Sequence, residues 1–216
     1  MHVTAPVPRA ALRELAELHR REPNVAPAQL PSTDDAPGWH VDHLATSLGA
    51  EPPGDVVDGG VFATAARVLE RYEFADQRLV RAAFYDDAPL EGRDMLLVGR
   101  FHGLRFFMGV RVGGVVRETG RRQGRPVERF AWHYRTLEGH LEQGQMDYEL
   151  VKWLDDGQVR LEISARSRRA PMRNPVVALG FALFGRRQQL RFYDLALART
   201  HHLVARDAAT PDAGAE

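Results

Sequence analysis

A long stretch in which apolar and polar residues alternate, from about residue 95 to residue 166, constrains the fold most strongly. Side chains point alternately to the two faces of a strand, so a period of two predicts a sheet that is covered on one side. Met95–Phe101 and the run after it are joined at His102-Gly103, which we interpret as a turn. In that run, apolar residues occupy every second position: Leu104, Phe106, Met108, Val110 and Val112.

The next two strands repeat the alternation. In Val127–Arg135, the rings of Phe130, Trp132 and Tyr134 share one face, opposite Arg129, Ala131, His133 and Arg135, and the pattern leaves open which face is buried. Asp156-Gly157 is typical of a hairpin turn between a strand ending near Leu154 and one beginning near Val159. We therefore predict an antiparallel sheet across 95–166.

Helical spacing is found on both sides of this stretch. Apolar residues from Val61 to Tyr72 fall on one face of a helix that follows Gly59-Gly60. Pro175 precedes a long apolar stripe that predicts a closing helix to about Ala205, with Val177, Phe181, Phe184, Phe192 and Leu195 on its apolar face. The predicted fold class is α+β, a curved antiparallel sheet wrapped on a long C-terminal helix, a shape that often encloses a pocket.

The N-terminal part has a different character. Residues 9–21 form a short amphipathic helix, whereas the six prolines and five glycines between Glu22 and Gly60 exclude any long helix there. We expect 22–60 to be mostly irregular and to dock through Trp39, although Trp39 and Val41 could add a strand. The expected organisation is an N-terminal helix and arm (1–60), a helix-grip-like domain (61–205) and a disordered tail (206–216).

Composition limits the chemistry. The chain has no cysteine, which excludes a disulfide scaffold, a thiol nucleophile and any cysteine metal site. Its 29 basic and 29 acidic residues cancel, so no overall field attracts DNA or an anionic membrane. The chain also shows no secretion signal and no apolar run long enough to span a bilayer, so we expect a cytoplasmic protein.

Several segments together resemble the bacterial domain of unknown function 1990 family, over roughly residues 37–205. The most specific is the pattern Y-x-T-L-x-G-H-x-E-x-G, which begins at Tyr134 and ends at Gly144. The others are PGWHVDHL (37–44), EPPG (51–54), PLEGRDMLL (89–97), GVRVGGVV (109–116) and SRRAPMRNPVVALGFALFGRRQQLRFY (167–193).

The resemblance implies a small α+β domain and carries no established activity. By fold analogy it also implies a relation to the START-like helix-grip proteins, which bind hydrophobic ligands between the sheet and the C-terminal helix.

The segment around His140 is the densest group of titratable residues. A histidine flanked at two residues' distance by Glu138 and Glu142 suits a general base oriented by an acid. The alternative is a structural loop in which Gly139 and Gly144 adopt unusual backbone angles and His140 caps a backbone carbonyl. A metal site is not expected, because no second histidine stands at ligand spacing.

The arginines are a third feature. Nine of them lie between Gly157 and Arg199 against only Glu162 and Asp194. Arg166, Arg168, Arg169, Arg186 and Arg187 would suit a phosphate if they converged, but no nucleic-acid motif accompanies them, so a nucleic-acid partner is not expected. GVRVGGVV lies within a strand and therefore cannot be a phosphate loop, and we expect no cofactor.

These features favour a protein that binds a hydrophobic or lipid-like small molecule between the sheet and the C-terminal helix. An enzyme that uses His140 and Glu142 for acid–base chemistry on such a ligand, and an interaction module with an arginine face, remain open alternatives. The oligomeric state stays undetermined. The candidate ligand-binding residues are Trp132, Tyr134, His140, Glu142, Arg166 and Phe181.

Overall fold

The computed structural model describes residues 3–4, 6–101, 104–171 and 175–208, without the side chains of 101, 104, 175–184 and 208. The predicted turn at His102-Gly103 and residues 209–216 of the predicted tail lie outside the described residues. Helix also continues through Arg206 to Ala208, so the tail prediction placed the end of the helix too early.

Seven strands form one antiparallel sheet, in the order β1-β7-β6-β5-β4-β3-β2. They are β1 (His40–Ala50), β2 (Val80–Ala83), β3 (Asp94–Phe101), β4 (Leu104–Arg122), β5 (Arg125–Thr136), β6 (Glu142–Trp153) and β7 (Gln158–Arg169). The helices are α1 (Arg9–Glu17), α2 (Val61–Glu70) and α3 (Pro175–Ala208), with short 3₁₀ turns at Leu18–Arg20 and Pro27–Gln29. The predicted fold class is confirmed.

The alternation along β5 settles which face is buried. Phe130, Trp132 and Tyr134 are 1%, 2% and 6% exposed, and they lie in the main core with α2 and α3. We call this the inner face of the sheet, and the opposite one the outer face. Burying each ring stabilises the fold by about 1.5–3 kcal/mol, so the aromatic face is the main reason that the helices pack here.

The closing helix packs on the sheet through a different stripe from the predicted one. Phe192 and Leu195 are only partly buried, and the side chains of Val177, Phe181 and Phe184 are outside the described residues. The buried positions follow helical spacing one residue further along the helix: Tyr193, Ala196, Thr200, Leu203 and Val204.

The outer face has two different parts. Near β2–β4, α1 and the turn after it cover a second small core that includes Leu15, Leu18, Leu96 and Val98. Gly109 permits this contact, since a Cβ there would lie 2.6 Å from Leu18 Cδ2. Over β4–β7 the outer face instead carries ion pairs across the strands: Arg129 with Glu118 and Glu149, Arg122 and Arg160 with Glu162, and Arg166 with Asp147.

The segment predicted as an irregular arm contributes an edge strand. β1 runs for eleven residues and pairs antiparallel with β7, so the strand that Trp39 and Val41 left open is present, and the rest of 22–60 is largely irregular as expected. The prolines and glycines are confined to the stretches before and after it, so they do not interrupt its pairing. Trp39, just before the strand, is partly buried, with the Arg168 guanidinium 4.7 Å from its ring centre.

The predicted turn at Asp156-Gly157 is confirmed as part of a four-residue connection between β6 and β7. Gly157 has φ +73°, and its N–H donates to the Trp153 carbonyl at 2.8 Å. A Cβ on Gly157 would collide with the Glu51 carbonyl oxygen at 1.8 Å. The glycine therefore allows the turn to pack against the segment after β1.

A buried ion pair fixes that same segment. Lys152 on β6 is completely buried, and its Nζ lies 2.7 Å from Glu51 Oε1 and 2.6 Å from the Asp55 carbonyl oxygen. The other carboxylate oxygen of Glu51 accepts the N–H of Phe62, in the first turn of α2, at 3.0 Å. One lysine thus links the sheet, the 51–60 segment and the start of α2.

Replacing one member of this pair should be costly. We expect Lys152→Met to lower the free energy of unfolding by about 3–5 kcal/mol, because Glu51 keeps a buried charge without its partner. The double variant Lys152→Met/Glu51→Gln should recover a large part of the loss. Urea unfolding of the three proteins measures both effects, and a double variant no more stable than the single one would contradict this account.

Candidate functional site

Five rings pack together between the inner face of the sheet and the helices, and we call them the ring cluster: Tyr72, Phe74, Trp132, Tyr134 and Tyr148. Trp132 and Tyr148 stand opposite each other on β5 and β6, with ring centres 4.6 Å apart. Phe74 lies 5.0 Å from Tyr148 and 4.4 Å from Tyr72. The rings of Trp132 and Tyr134 therefore lie on the buried face of β5, which the sequence pattern left undecided.

The ring cluster is unusually polar for a core. The hydroxyls of Tyr148 and Tyr134 approach Met146 Sδ at 2.8 and 3.4 Å, a weak acceptor. Tyr72 Oη and Trp132 Nε1 are buried and have no hydrogen-bond partner among the described residues. In a fully packed core, each buried polar group without a hydrogen bond lowers the free energy of unfolding by about 1–3 kcal/mol. Polar atoms here are thus available to a further partner.

Tyr72 is held in place by a strained backbone. It directly follows α2 with φ +58°, a conformation that favours glycine and costs a bulky residue about 1–2 kcal/mol. Arg93 stabilises this end of the helix, because its Nη1 donates to the Glu70 carbonyl at 2.7 Å. Burial raises the pKa of Tyr72 to about 12, although the hydroxyls of Tyr134 and Tyr148 partly counter the rise. The hydroxyl is therefore neutral.

Glu142 begins β6 at one end of the ring cluster, on the same face as Met146 and Tyr148. The residue keeps partial solvent contact, but its carboxyl lies deep enough for burial to raise its pKa to about 7. Among the described residues, its side chain accepts one long hydrogen bond, from Ser167 Oγ at 3.5 Å from Oε1. Because this hydrogen bond is weak, the Glu142 carboxyl can still accept a hydrogen bond from another group at the solvent-facing end of the core.

Polar side chains join α3 to the sheet beside Glu142, and we call them the latch: Asp42, Ser167, Arg186, Gln189 and Tyr193. Arg186 forks onto Asp42 with two contacts of 2.5 and 2.6 Å. Gln189 Nε2 donates to Ser167 Oγ at 3.0 Å, and the Tyr193 hydroxyl lies 3.5 Å from Asp42. The latch fixes the middle of α3 over β1 and β7.

His140 does not pair with a carboxylate in the structure. Its Nδ1 accepts the backbone N–H of Glu142 at 2.9 Å, and burial lowers the pKa of the ring to about 4. The ring is therefore neutral near pH 7. This contact favours the alternative of a structural loop, although His140 accepts a backbone N–H instead of capping the expected carbonyl. It gives no support to an acid–base pair with Glu138 or Glu142.

The N-terminal segment holds the same loop. Asn24 donates its backbone N–H to Thr136 O at 3.0 Å and accepts the Thr136 hydroxyl at 2.6 Å. Thr136 Oγ1 in turn accepts the Gly144 N–H at 2.9 Å. Gly144 cannot be larger, because a Cβ would lie 2.2 Å from the Arg166 carbonyl oxygen. Much of the 134–144 block therefore builds the connection that places Glu142.

Arg166 lies apart from the ring cluster. It pairs with Asp147 at 2.7 Å on the outer face, since Ala165 and Ser167 occupy the inner positions of β7. Arg168 also faces outward, whereas Arg186 is on α3 in the latch. Arg166, Arg168 and Arg186 therefore do not converge on one phosphate, and Arg169 stands opposite Glu142 at the end of β7. The side chain of Phe181 lies outside the described residues.

Sequence reasoning placed Tyr72 on the apolar face of the predicted helix without connecting it to a site, and it did not find the latch as a unit. In the structure Tyr72 lies two residues past the end of α2. Asp42 and Arg186 are 144 residues apart, so only the folded chain brings them together.

A concave region lies on the outer face. It is an open depression of about 370 Å³ over β4–β6. Arg122, Arg129 and Glu149 line it and are engaged in the ion pairs across the strands. In the described part of the chain, no three His, Asp or Glu side chains are arranged to hold a metal ion. No described helix combines the length and apolarity needed to cross a bilayer.

The strand order and the long C-terminal helix across the inner face define a helix-grip protein. The sequence profile of the family described as Domain of unknown function (DUF1990) matches residues 23–193, and this chain belongs to that family. The predicted family is thereby confirmed. No curated protein matches the chain.

Several solved structures are similar to parts of this one. Ara h 8.0201 has 9% sequence identity and a TM-score of 0.44, over 78% of this chain and 99% of its own. A hypothetical protein from Helicobacter pylori has 13% identity and a TM-score of 0.44, over 85% of this chain and 95% of its own. A putative uncharacterized protein from Rhizobium leguminosarum has 10% identity and a TM-score of 0.39, over 78% and 97%. At these low scores the fold assignment rests on the strand order itself.

Glu142→Gln isolates the titration of this carboxyl. The folded pKa is about 7 against a usual 4.5, so the folded protein binds more protons than the unfolded chain between these values. The stability of the wild type relative to the variant should therefore fall by roughly 1–3 kcal/mol as the pH rises from about 4.5 to about 7. Urea unfolding of both proteins across this range measures the difference. A constant difference would contradict the raised pKa.

His140→Ala tests the role of the imidazole. The substitution leaves the buried Glu142 N–H without its acceptor, so we expect a loss of about 1–3 kcal/mol in the free energy of unfolding. His140→Asn, which can again offer an acceptor, should recover part of it. Thermal and urea unfolding measure the loss of stability in His140→Ala and its partial recovery in His140→Asn. A negligible loss in His140→Ala, together with weaker binding of a small molecule, would favour a direct role in ligand binding instead.

Proposed function

We propose that the protein binds a small, mostly apolar molecule between the inner face of the sheet and α3. The observation that carries this proposal is Trp132 Nε1, which is buried without a hydrogen-bond partner among the described residues. Beside it, the Tyr72 hydroxyl has no hydrogen bond of normal length and lies near only the hydroxyls of Tyr134 and Tyr148. A core evolved for packing alone would use phenylalanine at such positions, because buried groups without partners are costly.

The chemistry of these atoms limits the ligand. An indole N–H only donates, so the group that meets Trp132 must be an acceptor, whereas a tyrosine hydroxyl can donate or accept. The surrounding rings offer flat apolar walls that suit an alkyl or aromatic body. The expected ligand is therefore apolar over most of its surface and carries at least one oxygen or nitrogen acceptor.

The strain at Tyr72 also supports the proposal. A left-handed backbone at a tyrosine persists only where the surrounding structure enforces it, and such positions concentrate at binding sites. Arg93, buried and bonded to three carbonyl groups, provides that enforcement. The same strain directs the Tyr72 ring into the cluster rather than into solvent.

The proposal predicts a specific response to loss of one hydroxyl. Without ligand, Tyr72→Phe should leave stability unchanged or raise it by up to about 1 kcal/mol, because an unpaired polar atom disappears. It should weaken the binding of 1-octanol several-fold, the effect of about one lost hydrogen bond. Calorimetric titration and urea unfolding measure the two effects.

Tyr85→Phe is the matched control, since Tyr85 packs against the second core on the outer face. This variant should bind 1-octanol as the wild type does. Native mass spectrometry of the purified protein adds an independent observation, a bound small molecule released on denaturation. If 1-octanol and its shorter and longer homologues fail to bind, and no small molecule co-purifies, the proposed function is wrong.

A further inference from the structure

We infer that the depression on the outer face is a separate binding site, which takes the carboxylate of a small, partly apolar molecule. This site does not depend on the ligand proposed for the inner face. Three observations carry the inference: an arginine that crosses the outer face, a glycine that leaves space beside a buried valine, and a guanidinium nitrogen without a hydrogen bond.

Arg122 crosses the outer face and forms one wall of the depression. It lies at the end of β4, and its Nη2 donates to Glu162 on β7 at 2.9 Å, although β5 and β6 lie between these strands in the sheet. Glu162 also pairs with Arg160 on its own strand, so it does not neutralise Arg122 alone. The side chain of Arg122 thus borders an open space of about 370 Å³ over β4–β6.

A glycine provides the space in the depression. Gly120 on β4 stands opposite Val127 on β5, and both line the depression. A Cβ on Gly120 would meet nothing within 4 Å, whereas Val127 is only 4% exposed. A side chain at 120 would point to the same side of β4 as Glu118 and Arg122, because alternate residues of a strand share a face. The missing side chain therefore leaves room for a small apolar group beside Val127.

Arg122 also has a donor that the fold does not use. Its Nη1 is buried and has no hydrogen bond within the described part of the chain. Glu149 Oε1 lies 3.9 Å away, too far for a hydrogen bond, and it already accepts from Arg129 Nε at 2.6 Å. A buried N–H group without an acceptor is costly, so an acceptor from outside the chain is favoured at this position.

The charges around the depression favour an anion. Three arginines line it, Arg121, Arg122 and Arg129, against Glu118 and Glu149. Arg129 pairs with both glutamates. Arg121 takes part in no ion pair with any residue that the structure describes. The lining therefore has one positive charge in excess, and a cation would be repelled.

A carboxylate fits this arrangement better than other anions. Its two oxygens lie in one plane and match the N–H groups of a guanidinium, which gives the stronger, charge-assisted class of hydrogen bond. A phosphate would bring more negative charge close to Glu118 and Glu149, and like charges repel. The expected ligand is a small carboxylic acid whose apolar part lies over Gly120 and Val127.

Three probes separate the carboxylate from the apolar part: benzoate, acetate and benzamide. Benzoate has both features and should bind to the wild type about fivefold more tightly than either of the others. About 0.5 M sodium chloride should remove most of its advantage over benzamide, because salt screens exposed charges. Titrations followed by the NMR signals of the β4 and β5 amides measure the affinities. Equal binding of benzoate and benzamide at low salt would overturn the inference.

Gly120→Val tests whether the depression is the place of binding. The backbone of Gly120 is not in the left-handed region and valine favours strands, so the variant should fold as the wild type does. It should weaken benzoate binding at least about tenfold, because its methyl groups fill the space. Thr119→Val is the matched control, since Thr119 bonds to Glu128 on the other side of β4 and should not affect benzoate. Unchanged benzoate binding in Gly120→Val would contradict the site.

Arg122→Gln tests the group that binds the carboxylate. It should abolish the advantage of benzoate over benzamide and leave the affinity for benzamide within about twofold. Arg122→Lys keeps the charge without the planar fork and should retain part of the advantage. A preference for benzoate that survives in Arg122→Gln would show that another group binds the carboxylate, and the inference would be wrong.

Discussion

The alternation of side chains along β5 and β6 determines where the rings and the charges of this protein lie. The two strands pair without a bulge, so Trp132 meets Tyr148 on the inner face and Arg129 reaches Glu149 on the outer face. A slip of one residue would exchange the faces, exposing the rings and burying the ion pairs. The helices depend on this register, because it directs the rings into the main core in which α2 and α3 pack.

The same register explains how the candidate site combines an apolar wall with polar atoms. Tyrosine and tryptophan add large apolar area but also bring a hydroxyl or an N–H into the interior. The latch adds a second polar layer where α3 crosses β1 and β7. The interior therefore changes from apolar near Phe130 to polar near Glu142, which is the order expected for a site that takes up an amphipathic molecule.

Sequence periodicity predicted the parts of the fold that follow from local rules. The strands and the turn at Gly157 depend on alternation or turn chemistry, which neighbouring residues specify, whereas alternation alone did not decide which face of β5 is buried. β1 was foreseen only as an open alternative at Trp39 and Val41, because prolines and glycines lie on both sides of it and its pairing is with β7 far along the chain. For His140 and Glu142 the sequence located the right block, but the folded loop decides that the imidazole meets a backbone N–H and the carboxyl faces inward.

Lys152 is the only lysine of the chain, and the fold buries it completely between the sheet and the 51–60 segment. Reagents that acylate side-chain amines therefore have a single lysine target, and they reach it only when that segment moves away from β6. The rate of acylation at Lys152 therefore measures how often this segment opens, and mass spectrometry of the one peptide that contains Lys152 gives that rate. Enzymes that modify lysine side chains meet the same barrier, so the folded protein resists lysine acetylation and related modifications for as long as the pair with Glu51 is intact.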